Sequence, residues 1–345
     1  MRSLRVAVCA PQTAFVIGGL ERVCQDLQRA LLAKGHQAEM VRLPFITNTV
    51  EGVVQSVLQW RQTNLSPITD GYDLVIPTAF PSYFISHPRK VTWLVAQYRF
   101  AYDLADTEYA AMGPSIDPAL RGAIVEADKV ALGESVFLYA ISKNVAARLD
   151  RFNGLTAKVL YPASNGTPSL DRGIGDYVLC VGALHRLKRQ WLLVQALAAT
   201  RGSMSCIIAG EGHDREALSE QISQAGLGGR VVLAGKVSNE ELRQLYVGAR
   251  VVFYGPHDED LGLVAMEAST HARPVITCSD SGGVLEFVCN GTTGWVVPPT
   301  VERIAEALDQ AFEDDDLCRA MGLAASERIS HLTWDVAVDR LTAET

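Results

Sequence analysis

PHDEDLGLVAMEASTHARPVITCS, residues Pro256–Ser279, sets two glutamates, Glu259 and Glu267, eight positions apart across a predicted loop-to-helix junction. Gly262, Leu263 and Val264 stand where the helix is expected to begin. The first turn of a helix presents backbone N–H groups without intrahelical partners, with the positive end of the macrodipole behind them. Such a corner attracts phosphate. One carboxylate just before it and another on its second turn suit hydroxyl groups on either side of a bound phosphate. Sugar, diphosphate and ribose follow one another in that way in a nucleotide-sugar.

Working outward, short apolar strands alternate with helical segments. Leu4–Ala10 reads as a buried strand, Leu20–Lys34 as a helix ending at Gly35, and Gln37–Leu43 as a strand. Tyr72–Pro77, Val91–Ala96 and Phe137–Ile141 add further strands. The Gly-, Ser- and Pro-rich stretch 163–176 (ASNGTPSLDRGIGD) reads as a linker. The alternation then restarts with strands at Tyr177–Gly182, Met204–Ala209, Val231–Ala234, Val251–Tyr254 and Gly294–Val297. Helices are expected at Gln190–Ala199, Asp214–Ala225 and Asn239–Val247, and a further element at Gly283–Cys289. Such alternation predicts α/β architecture, with parallel sheets covered on both faces. Two doubly wound, Rossmann-like domains are expected, at residues 1–163 and 164–330. A last helix near 331–345 is expected to pack back on the first. In such sheets ligands bind at the carboxyl ends of the strands, and sites favour domain interfaces.

A length of 345 residues suits two domains of ordinary size. Apolar content of 48% with 20% charged residues marks a globular protein. A net charge of −8 argues against sequence-independent nucleic-acid binding, which needs a basic face. The seven cysteines are odd in number, form no Cys-x-x-Cys pair and lie partly in apolar strands, so free buried thiols are expected. The first residues, MRSLRVAVCAPQ, carry no apolar run long enough for a signal peptide or membrane span. A cytoplasmic protein is expected, with any membrane association peripheral, at the inner face.

Taken together, the motifs of the second half resemble family 4 of the retaining glycosyltransferases, group 1, which have the GT-B fold of two Rossmann-like domains facing across a cleft. The resemblance is carried by Glu259-x7-Glu267 with Gly262 between and by Ala272-Arg273-Pro274-Val275-Ile276. It extends to Asp280-Ser281-Gly282-Gly283 with Glu286 and to Gly291–Gly294 leading into Trp295. Ala209-Gly210-Glu211-Gly212 and Gly235–Leu245 also fit, and Gly18-Gly19-Leu20-Glu21, Gly35-His36, Ser142 and Thr333-Trp334-Asp335 fit more loosely.

The resemblance implies transfer of a hexose, with retention, from a UDP- or GDP-sugar to a hydroxyl on a glycan, lipid-linked or small-molecule acceptor in cell-surface glycan biosynthesis. It implies no metal and no cofactor beyond the nucleotide-sugar. Glu259 and Lys188 are then the catalytic candidates. Glu267, Gly262, Leu263, Val264, Gly18, Gly19, Arg186 and Val237 are the donor-binding candidates, and Gln97, Tyr98 and Arg99 the acceptor-side ones. Two positions depart from the family. Ala183 replaces an arginine that helps hold the diphosphate, for which Arg186 is the candidate substitute, and Ala96-Gln97 stands where relatives commonly place a histidine. These departures motivate an alternative, a nucleotide-sugar-binding subunit with weak catalysis. A sugar-nucleotide epimerase of the same fold is a further one. A dehydrogenase is disfavoured, because no Gly-x-Gly-x-x-Gly follows the first strand.

Overall fold

The computed structural model describes residues 3–14, 18–47, 49–65, 71–163 and 173–343. The chain divides into two compact units, residues 1–163 with 332–345, and residues 164–331. Most of the expected linker, residues 164–172, lies outside the described residues.

The first unit runs β1 (Arg5–Gln12), α1 (Gly19–Ala33), β2 (Gln37–Pro44), α2 (Val50–Gln62), β3 (Leu74–Pro77) and β4 (Val91–Leu94). It continues with α3 (Pro118–Gly133), β5 (Phe137–Ala140), α4 (Lys143–Asn153) and β6 (Lys158–Val159). All pairings are parallel, in the orders β2-β1-β3 and β4-β5-β6. Isolated bridges Val75–Lys90 and Ala79–Ala96 join β3 to β4. In α1, Val23, Cys24, Leu27 and Leu31 fall on one buried stripe at helical spacing. The Glu21 carboxylate accepts from the Gly18 N–H at 2.7 Å and closes the start of that helix.

The second unit comprises β7 (Tyr177–Val181), α5 (Gln190–Ala199), β8 (Ser205–Ala209), α6 (Arg215–Gln224), β9 (Val231–Gly235) and α7 (Asn239–Gly248). It goes on through β10 (Ala249–Phe253), α8 (Leu263–Thr270), β11 (Val275–Cys278), β12 (Gly294–Val297), α9 (Val301–Glu313) and α10 (Asp315–Ile329). Its six strands are parallel in the order β12-β11-β10-β7-β8-β9. Renumbered within the unit this is 6-5-4-1-2-3, the dinucleotide-fold order, which reverses between β7 and β10. Both strands are buried runs, because helices cover the sheet on both faces. Their side chains meet Leu193, Leu197, Ile304 and Leu308 in one core.

The last helix, α11 (Trp334–Thr342), belongs to the first unit. Lys34 Nζ lies 2.6 Å from Asp339, Trp334 packs edge-on against Trp93, and Tyr139 donates to the Arg340 carbonyl. All seven cysteines are free thiols, six of them buried. Burial pushes the Cys180 thiol up to about 12. Among the described residues no helix is long and apolar enough to cross a membrane.

Two segments differ from the sequence reading. Gly283–Cys289 forms a single 3₁₀ turn over Gly283–Glu286, since Phe287 and Val288 point their amides back at the Val284 carbonyl. Val275–Cys278, not read as a strand, is the fully buried β11.

Candidate functional site

The carboxyl ends of β7 and β10 adjoin in the sheet, Cys180 opposite Phe253. The connections leaving these ends carry Lys188 and Glu259. This is the point at which open α/β sheets place ligands.

After β7 the chain makes a 3₁₀ turn, Arg186–Lys188, and enters α5. After β10 it runs through Tyr254–Leu261 into α8. Lys188 Nζ stands 2.6 Å from Glu259 Oε2 and 3.2 Å from the Tyr254 hydroxyl, and lies over the Tyr254 ring. Tyr254 is buried, and burial, reinforced by the Glu259 charge, pushes its phenol well above the usual range. It therefore serves as a neutral hydroxyl between cation and carboxylate. The Glu259 backbone is pinned on both sides. Its N–H donates to the Ser281 carbonyl, and its carbonyl accepts from the Gly283 N–H at 2.7 Å.

Three residues on, Gly262 is the N-cap of α8 at φ 96°, in the left-handed region. Gly262 has no side chain to cap the helix, and no carboxylate occupies its first turn. A Cβ on Gly262 would press on Val284 at 2.8 Å, so glycine is required by conformation and by space. Leu263 and Val264 supply the first-turn amides, which have no acceptor inside the helix. Glu267, on the next turn, accepts from the Tyr246 hydroxyl of α7 at 2.7 Å. The Tyr246 ring stacks on His271, whose imidazole is lowered to about 4 by burial and by nearby Arg243 and Arg273.

Arg186 opens the same 3₁₀ turn and is exposed. Ala183 is also exposed, and its carbonyl accepts from the Gln190 side chain at 2.9 Å. Val237 lies in the connection after β9, immediately before Ser238, which caps α7 in a reciprocal pair with Glu241. Thus Glu259, Lys188, Gly262, Leu263, Val264, Glu267, Arg186 and Val237 all belong to the second unit, and the structure brings Lys188 and Glu259 into direct contact.

Gly18 and Gly19, by contrast, start α1 of the first unit. Gln97, Tyr98 and Arg99 follow β4 there. Gln97 is buried and donates to Asn153 at 3.1 Å. Tyr98 stacks on Phe80, and burial raises its phenol to about 12. Arg99 pairs with Asp103, which also meets Arg148 at 3.0 Å. Among the described residues no group of three or more His, Cys, Asp or Glu side chains is placed to hold a metal ion.

Three residues of this neighbourhood were not singled out from sequence, Tyr254, Tyr246 and Arg189, and Asp280 was noted only as part of a motif, with no role. The tyrosines look like core residues of a strand end and a helix. Arg189 and Asp280 lie 91 positions apart and pair only in the folded chain.

Comparison with known proteins adds the chemistry of relatives. Residues 172–328 match the group 1 glycosyl transferases. The alpha-D-kanosaminyltransferase of Streptomyces kanamyceticus is 33% identical over 42% of this chain and 38% of its own length. An uncharacterized glycosyltransferase of Methanocaldococcus jannaschii is 24% identical over 87% of this chain and 86% of its own. A GDP-mannose-dependent phosphatidylinositol monomannoside mannosyltransferase of Mycobacterium tuberculosis is 32% identical over 48% of this chain. The match spans 46% of that enzyme, so with it and with the Streptomyces relative less than half of the curated protein is covered. Among solved structures, sucrose-phosphate synthase from Thermosynechococcus elongatus superposes with a TM-score of 0.79 at 18% identity, over 98% of both chains. Anabaena HepE with UDP-glucose does so with a TM-score of 0.72 at 17% identity, over 98% of both. At such identities the likeness establishes the fold, which is GT-B. The second unit, over residues 172–328, is similar to the group 1 glycosyl transferases.

Proposed function

We propose that the protein is a retaining, metal-independent glycosyltransferase. It moves a hexose from a UDP- or GDP-sugar to a hydroxyl acceptor in cell-surface glycan synthesis, at the cytoplasmic side. The observation that carries this reading is the Lys188–Glu259 pair beside the glycine-led first turn of α8, at the switch point of the sheet. The relatives' names, which include GDP-mannose-dependent transfer, and the UDP-glucose complex of HepE support it.

Sugar transfer breaks the bond between the anomeric carbon and a diphosphate oxygen, and negative charge grows on that oxygen. The Lys188 ammonium and the amides of Leu263 and Val264 are the donors that would stabilise it. Removing one such donor commonly costs ~3–4 kcal/mol of transition-state stabilisation. Lys188 and Glu259 neutralise each other at 2.6 Å. A bound donor would exchange this contact for two, diphosphate on Lys188 and sugar hydroxyls on Glu259. Glu267, oriented by Tyr246, would accept from the ribose hydroxyls. The acceptor oxygen attacks on the face the diphosphate leaves, and its proton passes to the departing phosphate oxygen, so no protein base is required.

The test is direct. A thermal-shift screen of nucleoside diphosphates and their sugars should give a clear hit, because a ligand at 100 times its dissociation constant stabilises by about 2.7 kcal/mol. Glu259→Ala should fold and lose most transfer, and Glu267→Ala should chiefly weaken nucleotide binding. Wild-type behaviour of both would refute the assignments. The exposed Ala183, where the family places an arginine, favours a second reading, a donor-binding subunit with little turnover. Donor binding without hydrolysis or transfer would select it.

A further inference from the structure

Beside Lys188 stands a residue that the mechanism above does not use. Arg189 joins the 3₁₀ turn to α5 at φ 56° and ψ 33°, in the left-handed region that favours glycine. Its side chain is 8% exposed. A buried arginine in that conformation calls for a reason, and its contacts supply one. Both terminal guanidinium nitrogens reach Asp280, Nη1 to Oδ1 and Nη2 to Oδ2, each at 2.7 Å. Nη2 also lies 3.0 Å from His257 Nδ1. The fork is bidentate, a geometry lysine cannot reproduce. Burial works against the Asp280 charge, but hydrogen bonds from His257 and Arg189 outweigh it and hold the carboxyl well below the usual range.

The three side chains come from three separate connections, after β7, β10 and β11. Backbone bonds run in parallel with them. The His257 N–H donates to the Leu187 carbonyl at 2.8 Å, Asp258 to Asp280 at 2.8 Å, and Glu259 to Ser281 at 3.2 Å. Asp258 is itself left-handed, at φ 42°. Lys188 is thus one residue from the clamp on one side, and Glu259 two residues from it on the other.

We propose that Arg189, Asp280 and His257 form a positioning clamp, which sets the spacing of Lys188 and Glu259 and keeps both at the height of the α8 first turn. The inference rests on the glycosyl-transfer reading of the same loops. None of the three touches the reacting atoms. They act through the main chain of residues 187–189 and 257–259. A misplacement of about 1 Å in such a site can cost ~100-fold in rate.

The test uses Arg189→Lys, Asp280→Asn and the double variant Arg189→Met with Asp280→Leu in the full chain. Hydrogen exchange of residues 256–262 is measured in each, alongside turnover of UDP-glucose, UDP-N-acetylglucosamine and GDP-mannose. Both single variants should exchange that segment at least ~10-fold faster and lose ~10–100-fold in kcat, with KM changed less than ~3-fold. The double variant removes both buried charges, so it should regain the melting temperature but neither the protection nor the rate. Recovery of rate with melting temperature would show a merely structural pair and overturn the clamp. So would unchanged exchange and kcat in Arg189→Lys. If the wild-type chain turns over none of the three donors, the transfer reading fails, and the exchange data alone then decide the clamp.

Discussion

Asp128, on α3 of the first unit, is fully buried, and among the described residues no cation stands beside it. Tyr102 donates to its Oδ2 at 2.5 Å, Asn153 donates to the Tyr102 hydroxyl at 3.1 Å, and Gln97 donates to Asn153. Burial raises the Asp128 carboxyl from 3.8 to about 7, and the hydrogen bond from Tyr102 offsets only part of that rise. A shift of about three units corresponds to roughly 4 kcal/mol. The sign follows from the folded state holding its proton more tightly. The contribution is present in full below the unfolded value, and is lost as pH climbs from about 4 to about 7. Asp128→Asn keeps an acceptor for Tyr102 and cannot ionise. Relative to wild type, the variant should therefore gain up to ~4 kcal/mol in first-unit stability between about pH 4 and pH 8. Urea unfolding read by pulsed hydrogen exchange on α3 peptides isolates this unit from the other. A wild-type-to-variant difference that stays constant within about 1 kcal/mol across that range would refute the reasoning.

Lys188→Met should reduce transfer by ~100–1,000-fold with donor affinity less affected, as steady-state kinetics would show. Glu267→Gln should weaken nucleoside diphosphate binding by ~10–150-fold, the range for a charged hydrogen bond, in calorimetric titration. Tyr246→Phe should lower the same affinity by no more than ~10-fold, since only the orientation of Glu267 is lost. Gly210→Ala should destabilise the second unit by ~1–3 kcal/mol in urea, because Gly210 is at φ 146° and an added Cβ would overlap the Gly182 carbonyl oxygen. An unchanged midpoint there would mean that the turns after β7 and β8 yield more easily than their contact implies.

The strand–helix alternation was legible because buried parallel strands are short apolar runs, as in Tyr177–Val181 and Ser205–Ala209. β11 went unread because Val275–Cys278 follows Pro274 directly and carries a threonine that looks like loop chemistry. β6 has only two residues, both exposed, and so offers no pattern to read. In the site, Gly262 with Glu259 and Glu267 was visible because a helix start needs local residues at fixed spacing.

Sequence by itself determined the local parts: which runs bury, where α8 starts, and that two carboxylates flank its first turn. Only the tertiary structure decided which residues meet there. Lys188 reaches Glu259 across 71 positions, and Arg189 reaches Asp280 across 91. Those pairings follow from the strand order, which sets β7 between β8 and β10 and so brings the connections after β7 and β10 side by side. Periodicity along a chain encodes which face of an element is buried, whereas neighbours in a parallel sheet are chosen by the packing of the whole unit.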